Sequence, residues 1–133
     1  MEDRSAFEKV IEVTPENIDE LNHVNNIAYL KWVLDIAKEH WFFYSSEEIN
    51  SIFYWIVLSH YIEYKRPCFL GEELRIKTKV GAIEGARWPR KVWIYKPDGK
   101  LAVHAETEWC LMEKSSHRPA RISKNISTIF LSE

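Results

Sequence analysis

The chain has 133 residues, 46% hydrophobic and 29% charged, the size and balance of one globular domain spanning residues 1–133 with a real core. A formal net charge of −2 gives no bulk electrostatic case for nucleic acid or an anionic membrane surface. Cys68 and Cys110 follow no zinc or disulfide spacing, and no run of about 18 apolar residues marks a membrane span.

The amino end, Met1-Glu2-Asp3-Arg4, is charged and lacks an apolar signal core, so a cytoplasmic location is expected. Phe7 to Val13 alternates as a first strand, with Phe7, Lys9, Ile11 and Val13 on one side, and Thr14-Pro15 ends it. A polar loop follows over residues 14–24. A long helix then starts near Asn25, a favoured N-cap residue because its side-chain oxygen can accept from an early backbone N–H. Ile27, Leu30, Leu34, Ala37 and Trp41 mark one apolar face, while Lys31, Asp35 and Glu39 share a narrow polar stripe. Ala28, Tyr29, Trp32, Val33 and Ile36 make most of the remainder apolar too, so other elements must cover the helix.

Residues 42–50 read as a loosened connection. Ile52 to Arg66 is a long β-rich run, stopped by Pro67. Leu74 to Val80 alternates cleanly, residues 82–86 form a turn or bulge, and Val92 to Lys96 is a fourth strand. Pro97-Asp98-Gly99-Lys100 is a hairpin turn leading into a fifth strand, Leu101 to Glu113. The tail is polar until Ile129-Phe130-Leu131, which reads as a docking turn. The order predicts an α+β fold, a curved antiparallel sheet of about five strands around one long central helix. Open sheet edges and six Trp in so short a chain predict pairing of subunits.

The polar loop carries the candidate chemistry. Asp19 could serve as a general base or nucleophile, and Asn17, Asn22 and His23 could orient water or substrate. Backbone N–H groups near Val24 to Asn26 could hold an oxyanion at the positive end of the helix. Capping and turn formation account for the same residue types, so both readings stand at this point. Cys68 has no base near it in sequence, and the strand Lys and Arg residues read mostly as a solvated face. No metal-ligand spacing, phosphate-binding glycine loop or serine nucleophile elbow occurs.

Asp19, the run His23-Val24-Asn25-Asn26, Tyr29 and Trp32 together resemble the signature of hot-dog-fold thioesterases. The similarity is to acyl-CoA thioesterases of the hydroxybenzoyl-CoA thioesterase type and to plant acyl-ACP thioesterases. Glu63-Tyr64-Lys65-Arg66-Pro67 with Leu70-Gly71-Glu72-Glu73-Leu74, and Asp98-Gly99-Lys100 with Ala105-Glu106-Thr107, extend the resemblance over nearly the whole chain. It implies hydrolysis of an acyl-CoA or acyl-ACP thioester without a cofactor or metal, by a homodimer or homotetramer that binds neither nucleic acid nor membrane. The catalytic residues it implies are Asp19, His23 and Asn17. The substrate-binding residues are Asn22, Val24, Asn25, Asn26, Tyr29 and Arg66. Asn17 departs from the hydroxybenzoyl-type pattern, which has a catalytic Asp there. In the plant pattern Asp19 and His23 match the functional pair, Leu21 replaces an Asn, Cys68 matches the functional Cys and Pro67 replaces a Glu. The alternative is a non-catalytic acyl-thioester-binding protein that lost its base at Asn17. The acyl chain and its carrier are not encoded in any of these features.

Overall fold

A computed structural model describes residues 3–132; Met1, Glu2 and Glu133, the first two belonging to the charged amino end read above, lie outside the described residues. Strand β1 (Ala6–Glu12) is followed by a single 3-10 turn (Pro15–Asn17), helix α1 (Asn26–Tyr44) and helix α2 (Glu47–Ile52). Strands β2 (Phe53–Tyr64), β3 (Glu73–Val80), β4 (Arg87–Tyr95) and β5 (Leu101–Glu113) come next, then β6 (Arg118–Pro119) and α3 (Lys124–Ser127). One antiparallel sheet runs β1-β3-β4-β5-β2, with β6 added to β5. The helix lies against one face of that sheet, the arrangement of an α+β hot-dog fold. Among the described residues no helix is long and apolar enough to cross a membrane.

Alternation sets which side chains meet the helix. On β3, Leu74, Ile76, Thr78 and Val80 are buried and the residues between them are exposed. On β4 the buried set is Trp88, Arg90, Val92 and Ile94. The core falls into two clusters along α1. One, around Tyr29, Val33 and Ile36, packs on Val13, Cys68, Leu74 and Val103. The other, around Trp41, takes Val80, Trp88, Leu111 and, from the tail, Ile126 and Phe130. The tail therefore docks, as its apolar end predicted.

Four local readings change. Residues 42–50 do not simply loosen: α1 runs to Tyr44, and Ser46 caps α2 by accepting from Ile49 N–H at 3.2 Å. β4 starts at Arg87, five residues earlier than Val92, and carries Pro89 within it. Of the expected stripe only Ala37 and Trp41 are buried; the rest of the buried face of α1 runs through Tyr29, Val33, Ile36 and His40, Leu30 and Leu34 are partly buried and Ile27 is 80% exposed. A helix apolar nearly all round offers two stripes of equal quality, and spacing could not choose between them. The polar stripe splits: Lys31 Nζ donates to Asp35 Oδ2 at 2.7 Å, whereas Glu39 pairs with Lys9 of β1.

His40 and Arg90 form the buried polar centre of the second cluster. Arg90 Nη1 donates to His40 Nδ1 at 2.8 Å and to Thr78 Oγ1 at 3.0 Å. That makes Nδ1 the acceptor, so Nε2–H donates to the Arg4 carbonyl at 2.6 Å. Phe7 and Phe130 stack on the two sides of the imidazole, with centroids at 5.3 and 4.0 Å. Burial, and then the Arg90 cation, push the His40 pKa down from 6.5 to about 4. Between those values the unfolded chain binds more protons than the folded one, so stability falls as pH drops from 6.5 toward 4. We expect the urea midpoint to decline across that window by the equivalent of up to about 3 kcal/mol. His40→Gln keeps an acceptor for Arg90 but does not titrate, and should flatten the decline. Identical pH profiles for the two proteins would remove His40 as the cause.

Candidate active site

The loop between β1 and α1 is built almost entirely from its own hydrogen bonds. Asn17 Oδ1 accepts from Thr14 N at 2.9 Å and from Thr14 Oγ1 at 3.0 Å, closing the 3-10 turn on itself. Ile18 and Val24 pair as an antiparallel bridge, and Asp19 N donates to the His23 carbonyl at 3.0 Å. Asn22 takes the left-handed φ of 67°, which Asn tolerates better than most residues, and its N–H returns to the Asp19 carbonyl. The result is a tight loop that presents Asp19 and His23 side by side.

Asp19 is divided in use. Its Oδ1 accepts from Leu21 N at 2.8 Å, which fixes the carboxylate plane. Its Oδ2 lies 3.9 Å from His23 Nδ1, and both side chains are about one-third exposed. That separation is too long for a direct hydrogen bond but suits one water held by both groups. His23 also bridges to Phe69, which joins the loop to the segment between β2 and β3.

That second segment is itself held in place. Val24 N donates to the Cys68 carbonyl at 2.9 Å, and Cys68 N donates to Tyr29 Oη at 3.2 Å. Lys96 Nζ bonds the Pro67 carbonyl at 2.7 Å and both Glu72 carboxylate oxygens, with the Phe69 ring 4.9 Å away. Leu21, Ile27, Phe69 and Leu70 leave exposed apolar surface on the loop, the helix start and this segment.

At the helix start, Asn25 is the N-cap, its Oδ1 accepting from Ala28 N at 2.8 Å. Asn25 N–H goes to the Asn17 carbonyl and Val24 N–H to Cys68. Neither is available as an oxyanion donor, which corrects the expected Val24-to-Asn26 set. Among the described residues the N–H groups of Asn26 and Ile27 have no acceptor, and both residues are exposed at the positive end of the helix. Ile27 was not among the expected site residues, because a backbone donor leaves no mark in residue type; its place one step after an N-cap Asn pair was the available signal.

The remaining candidates have structural employment. Tyr29 is buried, and burial raises its hydroxyl pKa further above the usual phenol range. Arg66 is exposed and donates from Nη1 to the Leu101 carbonyl at 2.7 Å, pinning the start of β5. Cys68 has no exposed surface and burial pushes its thiol pKa up, away from nucleophilic use. Asn17, Asp19, Asn22, His23, Asn25 and Asn26 therefore share one loop and helix start, while Val24 and Tyr29 form its buried underside and Arg66 is engaged with β5. Among the described residues no cluster of His, Cys, Asp or Glu could hold a metal ion.

Residues 13–130 match the family model described as the thioesterase-like superfamily. No curated protein matches the chain. Among solved structures, a 1,4-dihydroxy-2-naphthoyl-CoA thioesterase from Synechocystis superposes with a TM-score of 0.82 at 15% identity, covering 94% of this chain and 95% of that one. A Staphylococcus aureus protein solved in complex with CoA gives a TM-score of 0.86 at 20% identity, covering 93% and 80%. The 12:0-ACP thioesterase from Umbellularia californica gives 0.81 at 13% identity, covering 96% of this chain but only 51% of that one. At these identities the likeness is one of fold.

The loop geometry makes Asn25 the residue that fixes the helix start. Asn25→Ala should cost about 1 kcal/mol in denaturant-measured stability, and Asn25→Asp should cost little, since Asp caps equally well. Equal losses from both would show that the side-chain amide, not the cap acceptor, is what the site requires.

Proposed function

Since the chain belongs to the thioesterase-like superfamily, we propose that it hydrolyses an acyl thioester, acyl-CoA or acyl-ACP, to the free acid and thiol, with Asp19 as the acting carboxylate. The observation that carries this reading is the pairing of Asp19 Oδ2 with His23 Nδ1 at 3.9 Å, just ahead of the helix N-terminus.

The roles follow from the hydrogen-bond accounting. Asp19 Oδ2 takes a proton from the water that it shares with His23, or attacks the thioester carbon itself; either route generates a tetrahedral oxyanion. The free N–H groups of Asn26 and Ile27, at the positive end of α1, stabilise that charge as it develops. Collapse expels a thiolate, which needs little acid help because a thiol has a pKa of roughly 8.5. When water is the nucleophile this leaves the free acid; when Asp19 is the nucleophile it leaves an acyl anhydride on Asp19 that water then hydrolyses to the acid. Asn17 acts through position: its carbonyl receives Asn25 N–H, so it sets the loop against the helix start. The protein acts as a homodimer or larger homo-oligomer. The free edge strand β2 leaves Ile56, Leu58, Tyr61 and Tyr64 exposed, apolar surface on both of its faces that a second copy would cover.

One observation favours a second reading. At the position where hydroxybenzoyl-type enzymes carry the catalytic carboxylate, Asn17 has its side-chain oxygen tied to Thr14. A protein that binds acyl thioesters without cleaving them fits that feature. Purified protein offered a panel of acyl-CoA thioesters, with free thiol followed over time, separates the two; binding without turnover at every chain length would end the hydrolase reading.

Asp19→Asn should lower turnover by about 10²-fold or more while leaving the melting profile intact. An undiminished rate would take Asp19 out of the mechanism. Asn17→Asp keeps both acceptor contacts to Thr14 and should preserve or raise the rate. A clear loss would mean that a second negative charge beside Asp19 impairs it.

A further inference from the structure

A cation sits inside this domain without a counter-ion. Arg90 is 6% exposed, and among the described residues no carboxylate lies within ion-pair distance of it. The fold engages only Nη1, through His40 Nδ1 at 2.8 Å and Thr78 Oγ1 at 3.0 Å, with the Phe130 ring centroid 5.5 Å from Cζ. Among the described residues Nε and Nη2 have no hydrogen-bond partner. They are not sealed in either, because the one fully enclosed polar side-chain atom lacking a partner among the described residues is Trp55 Nε1. Neutral His40 offers no compensating charge, and an isolated buried ion is expensive.

Arg90 forms part of the wall of a cavity of about 320 Å³ at the far end of α1, bounded also by Ala37, Trp41, Trp55, Trp88 and Phe130. Its guanidinium lies on the helix side of the sheet, as the contacts with His40 and Phe130 require. Of the other wall indoles, Trp41 Nε1 donates to Asn50 Oδ1 at 2.7 Å, Trp88 Nε1 to the Gly81 carbonyl at 2.9 Å and Trp109 Nε1 to Thr107 Oγ1 at 3.0 Å, while Trp55 Nε1, without a partner, is fully enclosed and does not face the cavity. The indoles therefore present carbon to the cavity. Lys38, Phe42 and Lys114, all exposed, mark its mouth.

We propose that this cavity binds an apolar chain of medium length that ends in a carboxylate, with the carboxylate on Arg90 and the chain along the tryptophan walls. A cavity of about 320 Å³ falls at the lower end of the range for small-molecule pockets, which suits a chain of medium length. A carboxylate accepts from both free edges of the guanidinium and supplies the missing charge. This goes beyond thioester hydrolysis and does not depend on it. The ligand has two possible sources: a free fatty acid, or the ω-carboxylate of an acyl group whose other end is the thioester. The helical rise from Asn25 to Ala37 is about 18 Å, so the second source would join the cavity of one copy to the loop of another. Only that arm rests on the hydrolase reading.

The test is a calorimetric titration of the intact protein with decanoate and, separately, with decan-1-ol. Decanoate should bind about tenfold or more tighter, as expected for a hydrogen-bonded charge pair. Equal affinities in the wild-type protein would overturn the proposal, whatever the variants do. Arg90→Met should remove the preference and Arg90→Lys should keep part of it. Lys38→Gln with Lys114→Gln should leave it in place, and its loss there would move the anion to the mouth and overturn the assignment to Arg90. Comparing kcat/KM for decanoyl-CoA and 10-carboxydecanoyl-CoA then identifies the source. A preference for the carboxylated thioester that Arg90→Met abolishes supports the acyl tail; no preference, with decanoate bound, supports the free acid. Decanoate binding by a protein that cleaves no thioester would end the hydrolase reading and leave this one standing.

Discussion

Val33 and Ile36 of α1 have no exposed surface, and a helix reaches that state against a single sheet only where the sheet curls toward it. The strands supply the matching surface by alternation: Leu74 and Ile76 from β3, Val92 and Ile94 from β4, Val103 and Ala105 from β5. Once the middle of the helix is enclosed, its two ends are left with different problems. The amino end has unbonded N–H groups that need water or a ligand. The carboxyl end has bulky aromatic groups that need a lid, supplied by α2 and by Phe130 of the tail.

At the amino end the polar residues sort by what their atoms are already doing. Capping is assigned to Asn25, so it does not explain Asp19. Turn formation explains only one Asp19 oxygen. The other oxygen lies 3.9 Å from His23 Nδ1 in the loop that leads into the helix start, and Leu21, Ile27, Phe69 and Leu70 leave exposed apolar surface on the same loop, helix start and neighbouring segment. A loop that existed only to start a helix would not need a half-exposed carboxylate and imidazole at its tip. The underside is as firmly built as the tip is open: Val24, Cys68 and Tyr29 are tied through backbone and hydroxyl, so the loop cannot drift away from the helix start.

How much of this is legible in the residues depends on whether the signal is local. The Asn25 cap, the Lys31–Asp35 pair, the turn before Lys100 and the alternation of β3 depend on neighbours in sequence, and all stand as read. The buried face of α1 is settled by what the sheet presents to it, and no helical period contains that information. Arg90 illustrates the harder limit. Read with Arg87 and Lys91 it belongs to a basic, solvated stretch; only when β4 begins at Arg87 does alternation place it inward with Trp88 and Val92. The missed strand start and the missed buried cation are one error. Pro89 within β4 hid the strand, because a residue without an N–H argues against strand interior.

The edge strand connects these two ends. β2 has β5 on one side and, among the described residues, no strand on the other; the exposed Tyr64 lies near one end of it, while Phe53 to Trp55 at the other end line the cavity. Tyr64 lies 5.5 Å, ring to ring, from Tyr29, and Tyr29 holds Cys68 beneath the Asp19 loop. An antiparallel copy of β2 laid along this edge would set the Tyr64 end of one strand beside the Phe53 end of the other. The loop of one copy would then approach the cavity of its partner, which the length of α1 keeps out of reach within a single chain. If two copies pair in this way, the edge whose apolar surface such pairing would cover is also the one that would bring the Asp19 loop of one copy and the Arg90 cavity of the other to a common ligand.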